Sequence, residues 1–384
     1  MKAKAQITSR IQDFQGLFPA YSEGIYLNHA AISPFCRLTK EIFDEYWARR
    51  AHMPVDVYHQ LLGEKEEFVT GIARLIHAEG GDDISLVPNT STGLNLVAQG
   101  LNIQPGDEIL LPSVEFPANV YPFMNLEETG ARIIWVHPRE GRISPEMIMQ
   151  KATPRTRLVS VSFVQYLNGF RMDLAAVGRR CREMGIVFCV DGIQGIGAVP
   201  LDVQDCCIDV LACGGHKWLM WPMGTGFLYT SPALRPKLQV PVVGWLSVED
   251  PWALSDFRLI LKKGGERFEP GTQNFMGMAI ARRMLQHFLV IGIESIWQRI
   301  FQLTERLILG LKDLGMSVVS PPDPEERSGI VSVRCPDAHF LETRLKEEGV
   351  IAAHREGMLR FSPHFTNRDE DIEKLLRVLK GTLA

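Results

Sequence analysis

The chain has 384 residues, a formal net charge of −4 and seven cysteines; 46% of its residues are apolar and 22% charged. That balance excludes a largely disordered chain, and the lack of a basic excess excludes charge-driven nucleic-acid binding. The thiols are too sparse and irregular for a disulfide scaffold, no apolar run approaches the ~18 residues of a membrane span, and the first residues are polar rather than an apolar leader. A cytoplasmic, reduced, globular enzyme is expected, with length for two or three domains.

From about residue 84 to 230, short apolar runs alternate with amphipathic stretches. The runs are Ile84–Val87, Ile109–Leu111, Arg132–Val136, Leu158–Ser162, Ile186–Val190, Val210–Cys213 and Gly226–Tyr229. Continuous rather than alternating apolar character marks strands buried on both faces. Between them, stretches such as Asp173–Met184 carry apolar residues at helical spacing. The pattern predicts an α/β domain with a mostly parallel sheet. After about residue 275 the rhythm changes: a long helical stretch (Met278–Leu314), a strand at Ile330–Arg334, a helix across His339–Glu348, strands at Val350–Ala353 and Leu359–Ser362, and a last helix after Asp369. The expected division is a large domain over 22–275 and a smaller α+β domain over 276–384. The placement of residues 1–21 is left open.

Open parallel sheets bind ligands beyond the carboxyl ends of their strands, often at helix N-termini. Four such positions carry polar or aromatic chemistry. Ile84–Val87 leads into Asn89-Thr90-Ser91-Thr92-Gly93, either a phosphate cup or an N-cap with surplus hydroxyls. Ile186–Val190 ends in Asp191-Gly192-Ile193-Gln194, where the acid is a helix cap or the partner of a cationic ligand group. Val210–Cys213 runs into Gly214-Gly215-His216-Lys217, where the lysine is solvated surface or a reactive amine. Ile109–Leu111 is followed by Phe116, a core residue or a stacking plate. A phosphate anchor, an anion, an amine and an aromatic face at one sheet edge are the four requirements of pyridoxal phosphate (PLP). No metal-ligand set is read, and no Gly-x-Gly-x-x-Gly turn follows the first strand, which sets aside a nicotinamide oxidoreductase.

Tyr26–Ala31, Asn89–Ala98, Val190–Gln194, Gly215-His216-Lys217 with the later Gly224–Tyr229, Phe268–Thr272 and Leu359–Phe365 together resemble the class V aminotransferases. These are fold type I PLP enzymes that include cysteine desulfurases, selenocysteine lyases, kynureninases and isopenicillin-N epimerase. The resemblance implies that Lys217 is the aldimine lysine, Asp191 the partner of the pyridinium nitrogen, and Gln194 a contact to the phenolic oxygen. It places Thr90, Ser91 and His216 on the phosphate, Phe116 on the ring, and Thr272 on the phosphate of the other subunit of a homodimer with shared active sites. Arg360 is implied to take the substrate α-carboxylate, with Asn28 and His29 on a loop lining the substrate side.

Several positions depart from the pattern. Phe116 stands where desulfurases carry His, Gly214 where many relatives carry Ser, Gln165-Tyr166 where desulfurases carry Ser-Asn, and Trp221 where Gly is usual and where it is expected to narrow the entrance. The stretch Leu345–Arg360 has no Cys to serve as a desulfurase nucleophile, and Cys335, before the preceding helix, reads as a structural thiol. The expected function is PLP catalysis on a free amino acid, of aminotransferase or lyase type. Epimerisation, selenocysteine-lyase-like or desulfurase-like chemistry, and a non-catalytic PLP-binding role are the alternatives.

Overall fold

The computed structural model describes residues 2–52 and 57–383. A short strand, β1 (Ile25–Tyr26), precedes seven strands that build the central sheet: β2 (Ile84–Val87), β3 (Glu108–Pro112), β4 (Arg132–Val136), β5 (Thr156–Ser162), β6 (Val187–Asp191), β7 (Val210–Gly214) and β8 (Gly226–Thr230). Their order across the sheet is β2-β8-β7-β6-β5-β3-β4. β8 runs antiparallel to both its neighbours, and every other pairing is parallel. Each apolar run read from the sequence falls on one of these strands, Ile186 alone preceding its strand by one residue. β2, β3, β7 and β8 are buried at every residue, as strands covered by helices on both faces must be. β4, at the edge, keeps Arg132 exposed.

The helices obey local chemistry. Leu174–Met184 starts at Asp173, whose carboxylate accepts the Ala176 N–H at 2.9 Å, and ends at Gly185 in the left-handed region (φ 67). The expected single helical stretch from Met278 is instead two helices, Phe275–Ile291 and Ile293–Asp313, because Gly292 at φ 88 breaks the repeat.

The C-terminal lobe is a four-stranded antiparallel sheet ordered β12-β13-β10-β9, from β9 (Ser317–Val318), β10 (Val331–Arg334), β12 (Ala353–Arg355) and β13 (Met358–Phe361). The remaining strand, β11 (Val350–Ile351), pairs in parallel with β1, so the chain's first strand belongs with this lobe. Leu303, Leu307 and Leu311 pack here with Val331, Val333, Phe361 and Leu375. Earlier in the same helix, Ile293, Ile296 and Ile300 pack instead into the large core with Met284 and Phe288. That large core therefore reaches past residue 276, taking in Ile300, Ile330 and Phe365, and the helix Ile293–Asp313 joins the two lobes. The N-terminal helix Lys2–Gln15 lies against the loop after β13. Phe14 stacks on Phe365 with centroids 5.6 Å apart, and Gln15 Nε2 donates to the Thr366 carbonyl at 2.6 Å.

Candidate active site

A cavity of about 320 Å³ opens at the carboxyl ends of the central strands. Its walls come from the helix start after β2 (Asn89, Thr90, Ser91), Phe116 after β3, Tyr166 after β5, Asp191 and Gln194 after β6, His216 and Lys217 after β7, Ala30 and Ala31, and Arg355 and Arg360 from the small lobe. Short glycine-containing turns bring these together. A Cβ on Gly215 would lie 2.1 Å from the Trp221 ring, and one on Gly93 would lie 3.2 Å from the Ala212 side chain, so both residues let the backbone pack closely.

At the helix N-terminus the cap is Asn89, whose Oδ1 accepts the Thr92 N–H at 2.8 Å. Thr90 is buried and its Oγ1 accepts the Gly214 N–H at 2.9 Å, tying the helix start to the end of β7. With Asn89 doing the capping, the exposed Ser91 and the start of the helix line the cavity.

Asp191 is 2% exposed, and its Oδ1 accepts the Ile193 N–H at 3.0 Å. Burial pushes its carboxyl up to about 7; the Ile193 N–H and the Lys217 ammonium oppose that rise, and the neighbouring Glu115 carboxylate adds to it. Burial likewise brings Lys217 down to about 8, opposed by Asp191 and assisted by Arg360 and Arg355. The Lys217 Nζ sits 5.6 Å from the Phe116 ring centroid, and Phe116 is held edge-on by Tyr166 at 5.3 Å. The turn carrying the lysine is pinned from below, where Ser33 Oγ donates to the Lys217 carbonyl at 2.6 Å. Burial, and then the adjacent Lys217 ammonium, push the His216 imidazole below its ordinary value. The Gln194 amide is fixed between the Ala30 carbonyl and the Trp218 indole N–H, both at 3.0 Å, leaving one N–H for the cavity. Arg360 is 2% exposed; its Nη1 donates to the Tyr166 carbonyl at 2.8 Å, while its Nε is buried without a partner.

Three residues sit elsewhere than the sequence suggested. His29 is wholly buried, its ring bracketed by the Tyr21 hydroxyl (3.1 Å) and the Ser33 hydroxyl (2.7 Å), and burial holds it neutral. Ala30 and Ala31, rather than His29 or Asn28, line the cavity. Trp221 does not narrow the entrance: it is 2% exposed, packed on Phe68 and Phe227 under Gly215. Thr272, read as reaching the phosphate of the other subunit, lines a different cavity of about 250 Å³ with Thr225, Gln273 and Asn274 and does not reach the Lys217 cavity of its own chain.

Two contributors escaped the sequence reading. Arg355 ends β12 and Arg360 lies in β13 across the two-residue Glu356-Gly357 turn, a spacing that places both on one hairpin face. Glu115 is a buried carboxylate accepting from Asn119 Nδ2 (3.0 Å), Gln165 Nε2 (2.9 Å) and the Ser162 N–H (2.8 Å), with Ser162 Oγ also donating to it. Nothing local in the sequence marks Glu115, because Ser162 and Gln165 come from a segment far along the chain. Outside the cavity, among the described residues, the ligating atoms of His339, Glu342 and His354 lie within 4.8 Å of one another, and the Glu342–His354 hydrogen bond accounts for that grouping.

Residues 25–375 match the family model described as aminotransferase class-V. A probable cysteine desulfurase of Methanothermobacter thermautotrophicus is 28% identical over 97% of this chain and 98% of its own. The isopenicillin N epimerase of Streptomyces clavuligerus is 30% identical over 89% of this chain and 91% of its own. Among solved structures, the apo form of a cysteine desulfurase from Thermococcus onnurineus NA1 superposes with a TM-score of 0.88 at 25% identity, covering 97% of both chains. A C-DES variant with glycine covalently linked to its PLP cofactor superposes at 0.89 with 24% identity, over 95% of this chain and 98% of that one, a likeness of fold. The expected α/β architecture is the fold type I architecture of PLP enzymes. With the match running through both lobes, the chain belongs to the aminotransferase class-V family.

Proposed function

We propose that Lys217 is the cofactor lysine of this PLP-dependent class-V enzyme, and that a free α-amino acid is the substrate bound by Arg360. The observation that carries this reading is the pairing of a buried carboxylate and a buried amine at the ends of adjacent strands β6 and β7, in one cavity with an anion-binding helix start.

The residues present fit the cofactor. The leading N–H groups of the helix Thr90–Gly100, with the Ser91 hydroxyl, suit a phosphate. Asp191 has one oxygen engaged by Ile193 and the other free for a ring N–H. Phe116 offers a flat face beside the amine, and the spare Gln194 N–H suits a phenolic oxygen. When bound, PLP supplies the electron sink that makes a substrate α-proton labile.

The remaining chemistry belongs to the chain. An amine whose pKa sits near 8 is neutral often enough near neutral pH to act as a nucleophile and then as a general base at its Nζ. Asp191, drawn to its anionic form by a cationic ring nitrogen, holds that nitrogen charged, since an adjacent opposite charge favours the charged form. Arg360 grips the substrate carboxylate with the guanidinium nitrogens that Tyr166 leaves free, and so orients the α-carbon toward Lys217. Burial keeps water from screening these contacts.

Shared active sites in a homodimer form part of the same proposal, supported by Thr272 standing on a surface cavity away from its own Lys217. Direct desulfuration through an enzyme persulfide has no support here. β12 and β13 are joined by the two-residue Glu356-Gly357 turn with no inserted loop, and Cys335 is buried at the end of β10. A spectral screen of the holoprotein against amino acids tests the reading: at least one should shift the cofactor absorption band, and a band indifferent to all of them would overturn it.

A further inference from the structure

We propose that Arg355 and Arg360 together recognise an α-amino acid whose side chain ends in a carboxylate or an equivalent oxyanion, Arg360 taking the α-carboxylate and Arg355 the distal group. This rests on reading the cavity as an amino-acid site and goes beyond it by naming the substrate class.

Strand register places the two cations together. In the β12–β13 hairpin Ala353 pairs with Arg360 and Arg355 with Met358. Side chains alternate along a strand, so residues 353 and 355 share a face with 358 and 360. Arg355 and Arg360 are thus diagonal neighbours on one face, with a separation of about 7–8 Å for such a pair. Both line the cavity.

The charges around them do not balance. Among the described residues, neither guanidinium has a carboxylate within 4.0 Å, whereas other arginines do, including Arg327 and Arg235 in partly buried pairs. Arg355 Nη1 donates to the backbone carbonyl of the adjacent His354, and Arg360 Nη1 to that of Tyr166. Glu356, beside Arg355 on the exposed turn, forms no ion pair with either. The cavity's side chains comprise three cations, Lys217, Arg355 and Arg360, against the single anion Asp191. The cofactor's phosphate suits the helix start at Asn89–Ser91 and its ring nitrogen suits Asp191, so neither group is assigned to the small-lobe arginines.

A substrate with one carboxylate would satisfy Arg360 and leave the exposed Arg355 guanidinium on the cavity wall without an anion. Their mutual repulsion is real at this spacing: Arg360 is brought down to about 10, chiefly by burial and next by Arg355. Two anionic groups on one ligand relieve both. Ala30 and Ala31 add only small side chains to the wall of this cavity of about 320 Å³.

The test is spectral titration of the holoenzyme with matched pairs, L-glutamate against L-glutamine and L-aspartate against L-asparagine. At least one acid should bind about tenfold or more tightly than its amide, the scale of a charge-assisted pair. In Arg355→Gln the ratio of amide to acid dissociation constants should collapse toward one. Amides that bind as well as acids in the wild type, or an acid preference that survives Arg355→Gln, would overturn the proposal while leaving the amino-acid reading standing. Silence toward every amino acid would overturn both.

Discussion

Asp191→Asn separates what the carboxylate does for the cofactor from what it costs the fold. Asn keeps the Oδ1 acceptor for the Ile193 N–H, held now at 3.0 Å, so the turn after β6 should survive. The charge is lost. In the cofactor-free protein a carboxyl raised from 3.8 to about 7 prefers to be neutral. Its contribution to stability is therefore fully present below the unfolded pKa and is lost as pH rises through the folded one. Between pH 5 and pH 8 that loss is about 2–3 kcal/mol. Cofactor-free Asp191→Asn should escape it, and its unfolding midpoint should gain on wild type over that interval. With cofactor bound the sign reverses. The variant lacks the anion that holds the ring nitrogen charged, a hydrogen bond worth about 1.5–3 kcal/mol, so turnover should fall by roughly ten- to a hundredfold or more. Thermal unfolding at a series of pH values with and without cofactor, alongside turnover, reads both effects. Wild-type turnover together with a midpoint difference that does not change with pH would refute the reasoning and leave Asp191 a simple cap.

Given L-cysteine and a reductant, the enzyme should release little sulfide, and Cys335→Ala should change that little; rapid sulfide and alanine production abolished by Cys335→Ala would place the enzyme among the desulfurases. Sedimentation should find a homodimer, and Thr272→Ala should weaken cofactor retention without dissociating it; an active monomer at high dilution would contradict shared sites. Gly215→Ala should lower the unfolding midpoint sharply, because the new methyl would lie 2.1 Å from the buried Trp221 ring; an unchanged midpoint would mean that the lysine turn is looser than described.

The fold was legible where burial dominates. Strands covered on both faces have little freedom in composition, which is why the inner strands of the central sheet could be read from apolar runs; edge strand β4 was read from Arg132–Val136 although it is only partly buried. Their carboxyl ends, Asp191 and Lys217 among them, then followed from topology. Tertiary contacts hid the rest. Gly292 within an apolar helical pattern gave no sign that its φ would reach 88 and split the helix. His29 looked like a substrate-side residue, yet its ring is taken by Tyr21 and Ser33. Trp221 looked like a gate, and is core because Gly215 leaves a flat surface for its ring. Glu115 finds its partners Ser162 and Gln165 47 and 50 residues away in sequence, beyond any local pattern. The β1–β11 pairing is two residues long and equally silent.

The central claim is that Lys217, and no other lysine, holds the cofactor. The most direct measurement is borohydride reduction of the PLP-loaded protein followed by peptide mapping. PLP should be fixed on the peptide that contains Lys217, and Lys217→Ala should bind PLP without the wild-type absorption band or any borohydride label. Label on a different lysine, or a wild-type band persisting in Lys217→Ala, would contradict the account.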